Sequence, residues 1–166
     1  MPGGVFAVSN QKGGVGKTTT AINIPAALAV VGRRVLLVDL DPHANATAGC
    51  GVDRRQLAQT VYQVLLGHKS VSETLVATDS GFDLLPAESA LAGAQAELTG
   101  HDENDTQRLK SSLAVVGTYD FILIDCPPAL NILTLNALVA AHSILIPVQC
   151  EYYALEGLSG LDETFH

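Results

Sequence analysis

The sequence predicts an α/β fold built on a mostly parallel, twisted sheet flanked by helices. Strand-like and helix-like segments alternate along the 166 residues, two of the strands are continuous apolar runs, and polar or glycine-rich segments follow the strands. With 48% hydrophobic and 16% charged residues, the chain can bury a sizeable core and is not expected to be disordered. We therefore expect a single domain over residues 1–166.

The individual elements follow from apolar periodicity and from glycine and proline positions. The predicted strands cover residues 4–9, 35–39, 82–85, 119–125 and 143–148. The predicted helices cover residues 18–31, 57–66, 89–98, 105–116, 132–140 and 154–161. Residues 41–51 are polar and small, which predicts a loop. Residues 154–161 are the start of a last helix that we expect to continue to His166, so we expect the domain to be incomplete at its C-terminus.

Proline and cysteine positions add two local expectations. Pro25 lies inside the first predicted helix, where the loss of one backbone donor costs about 3 kcal/mol if unrelieved, and it predicts a kink near residues 21–25. The cysteines contain no C-x-x-C pair, which argues against a disulfide framework or a zinc site. They are Cys50, Cys126 and Cys150.

The charge and the apolar runs limit the possible partners. The net charge of −8 opposes non-specific DNA binding by this chain alone, since such binding needs clustered lysines and arginines. The apolar runs are strand-sized, so no membrane span is expected. The first residues lack a charged region followed by an apolar one, so no secretory signal is expected either. These patterns predict a cytoplasmic protein that does not use a membrane.

A glycine-rich segment joins the first predicted strand to the first predicted helix. Residues 13–18 read Gly-Gly-Val-Gly-Lys-Thr, and they match the end of the phosphate-loop pattern G-x-x-x-x-G-K-[ST], although Gln11 replaces its first glycine. Successive backbone N–H groups and the helix N-terminus can converge there on an anion. The alternative is a turn that only connects strand to helix. The expected nucleotide-binding residues are Gly13, Gly14, Val15, Gly16, Lys17, Thr18 and Thr19.

The side chains of this segment suit a nucleoside triphosphate with a metal. Lys17 can reach the β- and γ-phosphates, the Thr18 hydroxyl is placed to ligate Mg²⁺, and Thr19 can donate to the α-phosphate. The sequence therefore predicts ATP and Mg²⁺ as cofactors.

Four motifs in order resemble those of one protein family. Residues 10–20, Asn-Gln-Lys-Gly-Gly-Val-Gly-Lys-Thr-Thr-Thr, resemble the deviant Walker A box of the ParA/MinD ATPases. Residues 35–42 resemble the family's Walker A′ segment and residues 121–128 its Walker B segment. Residues 147–157 resemble a strand–loop–helix of ParA/Soj partition proteins. The chain is thus similar to a C-terminally truncated ParA/Soj-type partition ATPase, which implies a SIMIBI-like, deviant P-loop NTPase fold.

The resemblance implies roles for individual residues. Lys12 matches the signature lysine that reaches the partner's phosphates across a nucleotide-sandwich dimer, and with Lys17 and Asp41 it forms the implied catalytic set. Asp41 matches the carboxylate that orients the attacking water, and it is a possible metal ligand. Asp125 matches the Walker B carboxylate that holds Mg²⁺ through a bound water, with a strand-end cap as the alternative. Asp39 is either structural or part of the metal shell.

The chain departs from the family's Walker A′ pattern at two positions. Family members usually read Asp-Pro-Gln-Gly-Asn where this chain reads Asp-Pro-His-Ala-Asn over residues 41–45. We therefore expect a loop that moves or contacts nucleotide differently. His43 can titrate near neutral pH, although a surface histidine without a role is the simpler interpretation.

The implied function is an ATP-dependent dimerisation switch with weak ATPase activity in plasmid or chromosome partition. Its implied partners are a second copy of the chain, a ParB-like protein that stimulates hydrolysis, and non-specific DNA only if the missing C-terminal region is present. In the complete family the protein associates with the nucleoid. The alternatives are a truncated, non-catalytic nucleotide-binding or dimerisation module and a MinD-like relative that positions another cargo.

Overall fold

The computed structural model describes residues 3–9, 16–98 and 102–148. Six strands form one sheet in the order β3-β4-β2-β5-β1-β6, and every neighbouring pair is parallel except β3 with β4. The strands are β1 Gly4–Val8, β2 Val35–Asp39, β3 Val76–Ala77, β4 Asp83–Leu85, β5 Phe121–Asp125 and β6 Ser143–Leu145. The predicted α/β class with a mostly parallel sheet is confirmed.

Seven α-helices and two 3₁₀ turns connect the strands within the described residues. The helices are α1 Lys17–Val30, α2 Asn45–Gly49, α3 Val61–Leu65, α4 Val71–Thr74, α5 Leu91–Glu97, α6 Arg108–Ala114 and α7 Ile132–Ala140. The 3₁₀ turns are Arg54–Gln56 and Glu103–Gln107. No helix of the described part of the chain is long and apolar enough to cross a membrane.

The central strands are buried because helices cover both faces of the sheet. All five residues of β2 are buried, and successive side chains enter two different clusters. Leu36 and Val38 belong to the larger cluster, while Val35 and Leu37 belong to the cluster that contacts α1. Full burial of such a side chain is worth about 1.5–3 kcal/mol. The continuous apolar run in the sequence is therefore the signature of a strand with a core on each side.

Most predicted elements are confirmed with shifted bounds, and local capping explains the largest shift. The helix predicted over residues 57–66 is confined to α3, because Thr60 and Gln63 form a capping box that begins the helix at residue 61. Residues 105–116 divide into a 3₁₀ turn followed by α6. The helix predicted over residues 154–161 lies outside the described residues.

The loop predicted over residues 41–51 is wrong in part, because α2 forms inside it. The sequence does not indicate the start of α2, because its N-cap residue, Ala44, has no side chain that can cap a helix. Ala44 also has φ +54°, which is unfavourable for alanine. The short α4 and the two-residue edge strand β3 were also not predicted. Each is too short to show an apolar period.

Pro25 is buried within α1, and helical structure continues through it to Val30. The proline therefore does not end the helix. Helix α1 packs against β1, β2 and β5, and this packing stabilises the helix despite the missing backbone hydrogen bond. The kink near residues 21–25 stays a prediction.

Asn136 joins α6 and α7 through a buried network of hydrogen bonds. Its Oδ1 accepts from the Leu109 backbone N–H at 3.1 Å. Its Nδ2 donates to the carbonyl oxygens of Asp105 at 2.8 Å and Ile132 at 2.9 Å. Because the side chain is completely buried, water cannot replace these bonds when the amide is removed.

We expect Asn136→Ala to lower the free energy of unfolding by about 2–3 kcal/mol, since it leaves a buried N–H of α6 without an acceptor. Urea unfolding at equilibrium measures the change. Asn104→Ala is the matched control, because Asn104 is exposed and should change stability by no more than about 0.5 kcal/mol. Equal stabilities of the two variants would contradict the structural role of the network.

Candidate active site at the carboxyl edge of the sheet

Three neighbouring parallel strands end at the same level and define the candidate site. Asp125 at the end of β5 is in register with Val8 of β1 on one side and with Asp39 of β2 on the other. The loop after β2 is tied to β5, because the Leu40 N–H donates to the Asp125 carbonyl at 2.9 Å. The carboxyl ends of the strands therefore bring the polar residues that follow them to one edge.

Lys17, Thr18 and Asp125 meet at this edge. Lys17 Nζ lies 2.7 Å from Asp125 Oδ1, and the Thr18 hydroxyl donates to Asp125 Oδ2 at 3.1 Å. Gly16 precedes α1 with φ +78°, a conformation that favours glycine. The first turn of α1 thus places an ammonium and a hydroxyl on the two oxygens of one carboxylate.

The charge on Asp125 depends on its cationic partner. Burial raises the pKa of Asp125, while the Lys17 ammonium and the Thr18 hydroxyl oppose that rise and the Asp41 carboxylate adds to it. Among the described residues, the donors to the Asp125 carboxylate are the side chains of Lys17 and Thr18. The two roles left open for Asp125, a Walker B carboxylate and a strand-end cap, stay predictions.

Asp39 holds together the loop that follows β2. Its Oδ1 accepts from the Asp41 backbone N–H at 3.1 Å. Its Oδ2 accepts from the Thr47 backbone N–H at 2.8 Å and from the Thr47 hydroxyl at 2.7 Å. Since Thr47 is the third residue of α2, Asp39 supplies the N-terminal cap that Ala44 does not. Of the two roles left open for Asp39, these contacts support the structural one.

Asp39 is ionised only at a cost in stability. Burial raises the pKa of Asp39 from 3.8 to about 6, with the Thr47 hydroxyl opposing this rise and Asp125 adding to it. As the pH rises between these two values, the unfolded chain loses the Asp39 proton before the folded chain does. The stability that protonated Asp39 contributes is therefore fully present below the pKa of the unfolded chain. It is lost as the pH rises through the pKa of the folded chain.

We expect the stability of the metal-free chain, measured relative to Asp39→Asn, to fall by about 2 kcal/mol between pH 4 and pH 7. Urea unfolding in the presence of a chelator at several pH values measures this difference. Asp79→Asn, at an exposed position, controls for the removal of one negative charge. A difference between wild type and Asp39→Asn that does not change with pH would contradict the prediction.

Asp41 and His43 form a second contact in the same loop. Asp41 is 4% exposed, and its Oδ1 accepts from the His43 backbone N–H at 3.0 Å and lies 2.7 Å from His43 Nδ1. The imidazole is mostly exposed, and Arg54 donates to the His43 carbonyl at 3.1 Å. The ring of His43 thus contacts the candidate water-orienting carboxylate, and whether the histidine has a role of its own stays a prediction.

The remaining expected site residues are only partly described. Thr19 lies exposed in the first turn of α1. Lys12, Gly13, Gly14 and Val15 lie outside the described residues, so their roles stay predictions. Cys150 and most of the motif over residues 147–157 also lie outside them. Cys126 is buried and free, as the cysteine pattern predicts.

Thr47 was missed by the sequence analysis. It lies eight residues from Asp39. Only the formation of α2 brings the two together, and no local pattern marks that pair.

The comparisons with known proteins agree with this geometry. A family model described as an AAA domain, AAA_31, matches residues 3–166. The chain belongs to this AAA domain family. Among curated relatives, the chain is 50% identical over 163 residues to the sporulation initiation inhibitor protein Soj of Bacillus subtilis. The match covers 98% of the chain and 64% of that protein. The chain is 54% identical over 159 residues to the chromosome-partitioning ATPase Soj of Thermus thermophilus, covering 96% and 60%.

Solved structures support the same fold. The AAA domain matches a structure described as cobyrinic acid a,c-diamide synthase from Mycobacterium smegmatis with bound ADP and magnesium, with TM-score 0.93, 49% identity and coverage of 99% of the chain and 66% of that structure. It matches a plasmid partition protein from Borrelia burgdorferi with TM-score 0.82, 29% identity and coverage of 98% and 72%. The chain spans about 60% of the length of the curated relatives it matches.

Proposed function

We propose that this chain is the nucleotide-binding part of a partition ATPase, in which ATP drives dimerisation and hydrolysis reverses it. The observation that carries the proposal is the convergence of Lys17 and Thr18 on Asp125 at the start of α1. The names of two relatives support the partition role: the chromosome-partitioning ATPase Soj of Thermus thermophilus, at 54% identity, and the chromosome partitioning protein ParA of Myxococcus xanthus, at 49%.

The residues at this edge fit Mg²⁺ and a triphosphate. The Thr18 hydroxyl and the Asp125 carboxylate are hard oxygen donors that lie 3.1 Å from each other. Thr18 would hold the metal directly, and Asp125 would hold it through a bound water. Within residues 3–9, 16–98 and 102–148, no group of three or more His, Cys, Asp or Glu side chains could hold a metal ion. When bound, the metal would neutralise charge on the phosphates.

The protein side chains divide the work of hydrolysis. Lys17 binds the β- and γ-phosphates. The backbone N–H groups of the glycine loop bind the triphosphate, and Thr19 donates to its α-phosphate. Asp41 orients the attacking water and is a possible metal ligand. Lys12 contributes across the dimer to the phosphates of the partner. Phosphoryl transfer depends chiefly on such positioning and charge stabilisation.

The partners follow from the same proposal. Two copies associate on binding ATP, and a ParB-like protein stimulates hydrolysis. Non-specific DNA binding requires the region that the relatives have beyond this chain, since the net charge of −8 opposes it here. We also propose a cytoplasmic location, with nucleoid association in the complete protein.

Phosphate release with Mg-ATP, alone and with DNA and a ParB-like protein, tests the proposal. A slow basal rate that the partner increases is expected, together with a nucleotide-dependent dimer in size-exclusion chromatography. Binding of ATP without any turnover would favour the alternative of a non-catalytic module. Absence of ATP binding would overturn both.

A further inference from the structure

Thr47 occupies a position in the loop after β2 that the proposed function does not explain. The residue is completely buried, and its hydroxyl uses both of its hydrogen-bonding abilities. It donates to Asp39 Oδ2 at 2.7 Å and accepts from the Ala87 backbone N–H at 2.9 Å. One side chain therefore connects the end of β2, the first turn of α2 and the segment that follows β4.

The Asp39 carboxylate transmits this connection to Asp41. Thr47 determines the orientation of Asp39 through two bonds to Oδ2, one from its N–H and one from its hydroxyl. The other oxygen, Oδ1, accepts the N–H of Asp41 at 3.1 Å. This bond holds the backbone of Asp41 in place. The position of the Asp41 carboxylate therefore depends on the hydroxyl of Thr47, six residues further along the chain.

We propose that Thr47 is a positioning residue for ATP hydrolysis, which acts by holding Asp41 through Asp39. The inference rests on the proposed function of Asp41. A displacement of about 1 Å in a reacting group can reduce a rate about 100-fold. The hydrogen bonds that Lys17 and Thr18 make go to Asp125 rather than to Thr47, so the loss of the Thr47 hydroxyl should affect turnover more than ATP binding.

Thr47→Val removes the hydroxyl and keeps the shape of the side chain. In the full chain with Mg-ATP, we expect kcat to fall at least about 10-fold while the dissociation constant for ATP stays within about 3-fold of wild type. Thr47→Ser restores the hydroxyl, and kcat should return to within about 3-fold of wild type.

Thr74→Val is the matched control for the loss of a buried threonine hydroxyl. Thr74 is 4% exposed and donates to the Ser70 carbonyl at 2.9 Å within the N-terminal turn of α4. Its removal should leave kcat unchanged. If Thr47→Val does not fold, Asp39→Asn provides the second test, because an amide cannot accept from both Asp41 and Thr47 with its two polar atoms.

The outcomes separate the inference from the proposed function. Hydrolysis by wild type that is lost in Thr47→Val, or in Asp39→Asn, and is kept in Thr47→Ser and Thr74→Val supports the inference. Hydrolysis by wild type with an unchanged kcat in Thr47→Val or Asp39→Asn overturns the inference and leaves the proposed function intact. A loss that Thr47→Ser does not restore also overturns it. Absence of hydrolysis in wild type overturns both.

Discussion

Lys17→Ala is expected to abolish ATP binding, with the dissociation constant rising at least about 100-fold. The Lys17 ammonium is the single basic group placed against Asp125 in the described part of the site, and its side chain is 11% exposed. A cation in such a position gains more from a triphosphate than an exposed lysine does, because the surrounding protein screens it poorly. Isothermal titration calorimetry with Mg-ATP measures the change.

The same substitution should also affect folding, since it leaves Asp125 buried without its cation. Removal of one partner of a buried pair costs about 3–5 kcal/mol, and proton uptake limits that cost because burial already raises the pKa of Asp125. The double variant Lys17→Ala with Asp125→Asn removes the unpaired charge. We expect it to regain most of the lost stability and none of the lost ATP binding.

The double variant thus separates binding from folding. Lys69→Ala is the matched control, because Lys69 forms an exposed pair with Glu73 at 3.7 Å and should change neither property measurably. Retention of ATP binding in Lys17→Ala would refute the assignment of the phosphate site. Failure of the double variant to recover stability would refute the burial argument.

Asp41→Ala is expected to reduce ATP hydrolysis about 100-fold while ATP still binds. The Asp41 carboxylate is nearly buried, and it is held by the Asp39 contact to its backbone and by the His43 contacts to its Oδ1. Such a fixed carboxylate can orient a water without reorganisation during the reaction. Phosphate release at saturating Mg-ATP gives kcat, and a fluorescent ATP analogue gives binding.

Asp53→Ala is the matched control for Asp41. Asp53 accepts from the Arg55 backbone N–H at 3.0 Å and caps the 3₁₀ turn Arg54–Gln56. Because its described contacts go to Arg55, its removal should leave kcat within about 3-fold of wild type. An Asp41→Ala variant that hydrolyses ATP at the wild-type rate would exclude Asp41 from the proposed mechanism. Loss of binding together with hydrolysis would instead indicate a structural effect.

The sequence by itself determined the fold class and the edge of the sheet where the site lies. Continuous apolar runs identify β2 and β5, and parallel strands necessarily bring their carboxyl ends, Asp39 and Asp125, to one edge. The pattern Gly16-Lys17-Thr18 places its side chains at the start of a helix that follows β1. Periodicity and motif spacing are local properties, so they can be interpreted without a structure.

Only the tertiary structure decided which side chains hold the site together. Lys17 and Asp125 are 108 residues apart, and Thr47 and Ala87 are 40 residues apart, so their pairing depends on strand order rather than on any local pattern. The helix α2 forms although its N-cap is an alanine, because a buried carboxylate from β2 caps it instead. A hydrogen bond between distant residues depends on where the backbone carries both partners, and packing of the whole domain sets those positions.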